Sequence, residues 1–137
     1  NDIKACGGDA EAVRNGKPRV ATELMVSYAY DTINRVNPVG FFGMVLVLEG
    51  TSVAIATTAG HALQKSLNLG EDAFCYLSSH GSLDISHMDF YKSLINRVED
   101  PDDQACLIHC AKMFYKLYGD IFRDLAQRFL PSGGGTA

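Results

Sequence analysis

An all-α fold is what this sequence predicts, and the absence of a strand period is the first sign of it. No stretch alternates apolar and polar residues convincingly, and Val45–Val47 and Val53–Ile55 read better within a buried helix. Between Glu71 and Val98, by contrast, Leu77, His80, Asp84, His87, Tyr91, Leu94 and Val98 follow at alternating three- and four-residue steps. That spacing places all of them on one helix face. A third signal is Asp100-Pro101-Asp102-Asp103: a cap, a proline at the first helical position, then carboxylates at the positive end of the dipole. It opens a stripe of Leu107, Cys110, Phe114, Leu117, Ile121, Leu125 and Phe129.

The elements follow in order. Residues 1–17 read as a poorly ordered N-terminal segment, with a short helix over Ala10–Asn15. Asn1–Pro18 is polar and has no apolar core, so no signal peptide is expected. With no initiator Met, the chain reads as a piece of something longer. A single helical domain is predicted over 18–130. Pro18 suits a first helical position, and Arg19–Val36 carries Val20, Leu24 and Tyr28 at helical spacing until Asn37-Pro38 ends the run. A long apolar segment extends from Val39 to about Leu67, and Asn68, Gly70 and Glu71 break it. The seam helix is predicted from Asp72 to Val98, with a local distortion at Gly81-Ser82. Pro131 stops the last helix, and 131–137, with its run of glycines, reads as a disordered tail.

Composition narrows the function classes. A length of 137 residues supports one modest domain with a core. The net charge of −4 offers no basic footprint for nucleic acid. No Lys/Arg cluster suits an anionic membrane. Cys6, Cys75, Cys106 and Cys110 are too few and too scattered for a secreted disulfide scaffold, which points to reduced thiols in a cytoplasmic protein. The segment Val39–Gly60 is long enough to span a membrane. Against that, Glu49 lies near its middle, where a charge costs about 2.5–3.5 kcal/mol, and Thr51, Ser52, Thr57 and Thr58 dilute its second half. A helix buried on nearly all sides is therefore predicted, with no membrane partner.

The seam holds His80, Asp84 and His87 where a helix ordinarily presents Leu, Ile or Phe. Burying such groups without partners costs several kcal/mol each, so a compensating group is expected. A metal ion bound by imidazoles and a carboxylate is the economical one. Glu49, a lone acid in an apolar helix, reads either as paired with a hydroxyl or an Arg, or as a further ligand facing that seam. Tyr76 is a core tyrosine or a partner one turn from the ligands, and Tyr91 a core residue. His61 lies about 120° around the helix from Glu49. Cys106 and Cys110 share a face, and two buried thiols explain them better than zinc, since no second ligand pair is within sequence reach. Asp89 and Lys92 belong to the solvated face.

The stretch Gly40–Ser52, GFFGMVLVLEGTS, followed by His80-x3-Asp84-x2-His87, resembles the haem-oxygenase-like superfamily, in its branch of iron-containing redox enzymes or haem-oxygenase-like di-iron oxidases. The resemblance spans roughly Val20 to Phe129. It implies an all-α, thiaminase-II-like helical bundle with two non-haem irons, metal ligands at Glu49, His80, Asp84 and His87, and dioxygen acting on a small-molecule substrate. Manganese suits the same ligands. Members of the branch draw further ligands from helices well upstream of the glutamate, and only forty-eight residues precede Glu49 here. Glu23, the nearest candidate, is followed at the matching step by Tyr30 rather than a histidine. The resemblance therefore covers the C-terminal half of the family domain, and a homo-oligomer or a missing N-terminal half would complete the bundle. Alternatives are a metal-free thiaminase-II-like protein using Cys75, a haem oxygenase, for which no early histidine is present, and a non-enzymatic helical dimerisation domain.

Overall fold

The computed structural model describes residues 1–129, and at 81–83 and 85 within them the backbone alone. The chain is 85% helical, with no strand among the described residues. Its helices are α1 (Asp2–Ala5), α2 (Ala10–Asn15), α3 (Val20–Asp31), α4 (Phe41–Leu67), α5 (Cys75–Ile95) and α6 (Pro101–Phe129). A π-helical turn, Thr32–Val36, and a 3-10 turn, Pro38–Gly40, join α3 to α4, and a 3-10 turn at Glu71–Ala73 precedes α5. The seam helix is thus shorter at both ends than Asp72–Val98. It runs through Gly81-Ser82 without a break. The expected stop at Pro131 and the tail 131–137 lie outside the described residues.

The fold divides into two compact units: residues 1–17 with 45–99, and residues 18–44 with the chain from Asp100 onward. In the second unit α3 runs antiparallel to α6. The Arg19 guanidinium meets the Asp124 carboxylate at 2.7 Å, and nine residues later the Tyr28 ring stands edge-on to Phe114, centroids 5.0 Å apart. Asn37 ties the connection down: its side chain accepts from the Val39 N–H and donates to Asp103 at 2.6 Å. The Asp100 carboxylate accepts the Asp102 and Asp103 N–H groups, the cap its sequence predicts. Close approach of the first turn of α4 to α6 is set by Gly43, where an added Cβ would lie 2.5 Å from the Ala111 backbone nitrogen.

The α6 stripe is only partly covered. Leu107, Cys110 and Phe114 are buried, Leu117 and Ile121 half-buried, and Leu125 and Phe129 exposed. The Arg19–Asp124 pair explains the gradient, because α3 begins there and the last residues of α6 outrun it.

In the first unit α4 and α5 are antiparallel neighbours, since Gly60 faces Leu77 and Gly50 faces Met88. The N-terminal segment contributes more than its composition suggests. α1 brings Asp2 to the start of α5, where its carboxylate accepts the Tyr76 N–H at 2.7 Å and satisfies one of the free amides of a helix whose own cap residue, Phe74, offers no side-chain acceptor. The expectation for α4 is corrected here. It is not buried on nearly all sides: Val47, Ala56 and Gly60 are buried, but Val53, Ile55, Leu63 and Leu67 are exposed. Pro38–Leu67 is long and apolar enough to cross a membrane by length and composition, and 22% of its most apolar window is buried.

Candidate metal centre

Three of the residues singled out from the sequence converge within the first unit. Glu49 comes from α4, and Asp84 and His87 come from α5, one turn apart. One ligand atom from each lies within 4.8 Å of the others. His87 Nδ1 is 3.4 Å from Asp84 Oδ1 and 4.0 Å from Glu49 Oε2. Asp84 is the inner member, its side chain 4% exposed, whereas Glu49 is 31% and His87 54% exposed. The helical seam is therefore not uniformly buried: Asp84 and Tyr91 point inward, and His87 stands at the rim.

Asp84 Oδ2 is buried and has no hydrogen-bond partner among the described residues. An unsatisfied buried polar atom costs about 1–3 kcal/mol, more if charged. A cation beside it would remove that cost. Two carboxylates and one imidazole are hard and intermediate donors, a set that suits iron or manganese. The residues present fit a metal on both counts.

His80 stands apart from this group. Its ring stacks on Tyr76, centroids 4.0 Å apart, and its Nδ1 lies 3.0 Å from the Tyr76 carbonyl oxygen. A carbonyl only accepts, so Nδ1 is the donor in that bond, which leaves Nε2 facing away from it. Such an anchor commonly orients a metal-binding or proton-transferring imidazole. Tyr76 itself is 63% exposed, so it is not a core residue but the surface against which His80 is held. Tyr91, one turn beyond His87, is buried, and burial pushes its phenol above the usual range. Asp89 and Lys92 pair with each other in solvent. Glu23 is exposed on α3.

His61 does not join the ligands. With Gln64, Ala56, Gly60, Phe74 and Leu77 it lines a cavity of about 330 Å³ between α4 and α5. That cavity opens two turns along α4 from Glu49, about 10 Å at the helical rise. Two contributions escaped the sequence reading. The cap that Asp2 gives α5 joins residues 74 positions apart, and no local signal announces it. The polar end of the cavity draws on both α4 and the turn before α5, so no single periodic stripe marks it.

A buried carboxylate, a second acid and an imidazole converging between two antiparallel helices make this an all-α chain with a candidate metal centre. The chain belongs to the iron-containing redox enzyme family, whose model matches residues 1–119. The match begins nearer the N-terminus, and ends earlier, than the Val20–Phe129 span of the motif resemblance. Comparison with curated proteins and with solved structures gives no match.

Proposed function

We propose that the protein is a non-haem iron oxidoreductase, acting with dioxygen on a small organic substrate. The observation that carries this reading is the buried, unpartnered Asp84 carboxylate oxygen beside Glu49 and His87. Membership of an iron-containing redox family supports it. Asp84, fixed in the interior, is the anchor ligand, and the more exposed Glu49 and His87 close on the same metal. His80, held by its bond to the Tyr76 carbonyl with Nε2 turned away from it, would be available to a second iron. Bound iron would supply the one-electron chemistry that dioxygen activation requires. The cavity lined by Ala56, Phe74 and Leu77, with His61 and Gln64 at its polar side, receives the substrate.

Four residues are too few for two irons. In this reading the chain is the C-terminal part of the family bundle, and the remaining ligands come from further helices, carried by a longer chain or by another copy. Anaerobic loading with ferrous iron followed by metal analysis tests the proposal. Iron is expected to bind at one or more per chain, with optical absorption that changes on admitting dioxygen. Asp84→Asn and His87→Ala should lower iron content. Unchanged stoichiometry in both variants would sink the idea. A Cys75-based hydrolase is not favoured, because Cys75 is exposed and its Sγ lies 3.5 Å from the Asp72 carbonyl oxygen, which cannot take a proton from it.

A further inference from the structure

The second unit holds a constellation that the iron centre does not use. Cys106 and Cys110 are one turn apart on α6, with their sulfurs 4.0 Å from each other. The Tyr28 hydroxyl lies 3.4 Å from Cys110 Sγ and donates to it. Gly40, immediately before α4, forms the floor beneath both sulfurs: an added Cβ would stand 2.7 Å from Cys110 Sγ, 3.0 Å from Cys106 Sγ and 2.8 Å from Thr32 Cγ2. Thr32 is fully buried beside Gly40. Both thiols are free. Cys110 is buried, and Cys106 is half-buried and gives access from solvent.

We propose that Cys106 and Cys110 form a site for a soft monovalent cation, cuprous copper, with the Tyr28 hydroxyl behind the sulfurs. Geometry decides against a disulfide. Side chains four residues apart on a helix have Cβ atoms about 5–6 Å apart, whereas a disulfide holds them at about 3.5–4.5 Å. A bridging metal needs no such contraction. Two metal–sulfur bonds of about 2.3 Å span the observed 4.0 Å at an angle of about 120°, the angle of a three-coordinate centre with its last position open.

The ligand count then selects the ion. Among the described residues no further His, Cys, Asp or Glu groups with these two sulfurs, and His109, between them in sequence, is exposed on another face. Zinc wants three or four protein ligands. Cuprous copper is soft, prefers thiolate, and is satisfied by two or three donors. With both sulfurs bound as thiolates, one cuprous ion gives a complex of charge −1. The Tyr28 hydroxyl and the Gly40 N–H at the head of α4 face that charge.

The test uses protein in which the exposed Cys6 and Cys75 are replaced by serine, titrated anaerobically with cuprous ion against bicinchoninate. One copper per chain and a thiolate-to-copper absorption in the near ultraviolet are expected. Adding Cys106→Ser, at a half-buried position that preserves the helix, should weaken binding by more than about 100-fold, and Tyr28→Phe by about 10-fold at unchanged stoichiometry. Circular dichroism checks that each variant keeps its helix content. Failure of the parent protein to compete with bicinchoninate, or copper uptake indifferent to Cys106→Ser and Cys110→Ser in folded protein, would overturn the proposal. Neither outcome bears on the iron centre, whose ligands lie in the other unit.

Discussion

Asp84 is unfavourable for the fold and, in the proposed reading, is the residue that anchors the metal. Its buried, unpartnered oxygen destabilises the metal-free protein. Neutralising it while keeping its shape should help that form. Asp84→Asn is expected to raise the melting temperature of metal-free protein, by about 1 kcal/mol of stability, and to abolish the rise that ferrous iron gives the parent. Thermal unfolding with and without iron reads both effects. Tyr28 offers a second prediction at this scale. Burial, then its bond to Cys110, pushes the phenol up to about 12. The folded state therefore holds a proton that the unfolded chain gives up near pH 10. The stabilisation is complete below pH 10 and is lost as the pH rises from 10 through 12. Tyr28→Phe should flatten the pH dependence of stability in that window, measured by urea unfolding at successive pH values.

At the scale of elements, packing depends on small residues and on caps supplied from far along the chain. Two glycines of α4 make the contrast. Gly43→Ala would force a methyl group to within 2.5 Å of the Ala111 backbone nitrogen, and backbone cannot swing aside. A loss of about 2–3 kcal/mol or more is expected. At Gly50 the nearest atom to an added Cβ is the flexible end of Met88, 3.9 Å away. Gly50→Ala should instead stabilise the helix by about 0.5–1 kcal/mol. Chemical denaturation of the two variants side by side distinguishes a tight crossing from ordinary helix propensity. For α5, Asp2→Ala removes the carboxylate that accepts the Tyr76 N–H and should cost about 1 kcal/mol. Amide exchange would register the loss first at Tyr76.

For the whole molecule, the apolar surface left uncovered is the leading fact. Val53, Ile55 and Leu63 on α4, Phe90 on α5, and Ile108, Tyr115 and Phe122 on α6 are all exposed. Exposed apolar patches of this kind are where proteins meet partners or membranes. In the proposed reading this surface is covered by a second copy or by the helices that complete the iron centre. The chain is expected to self-associate at micromolar concentration, and sedimentation velocity checks this. A monomer that persists at high concentration yet binds iron fully would count against an incomplete bundle.

The sequence by itself determined the helical class, the limits of α4 to within a few residues, the start of α6 and the cap at Asp100, and it singled out Glu49, His80, Asp84 and His87, of which Glu49, Asp84 and His87 come together. These are legible because helical period, proline, and capping chemistry act over a few residues, and because an acid in an apolar run has few explanations. Only the tertiary structure decided which seam residues point inward. His80 and His87 share a face on paper, yet one is held against Tyr76 and the other stands at the rim beside Glu49. The periodic stripe identifies a face without saying how much of it a neighbour covers. The cap from Asp2 and the convergence of Tyr28, Thr32 and Gly40 on two cysteines were likewise beyond the sequence. They join residues separated by as many as 82 positions, and that proximity arises from packing rather than from any local preference.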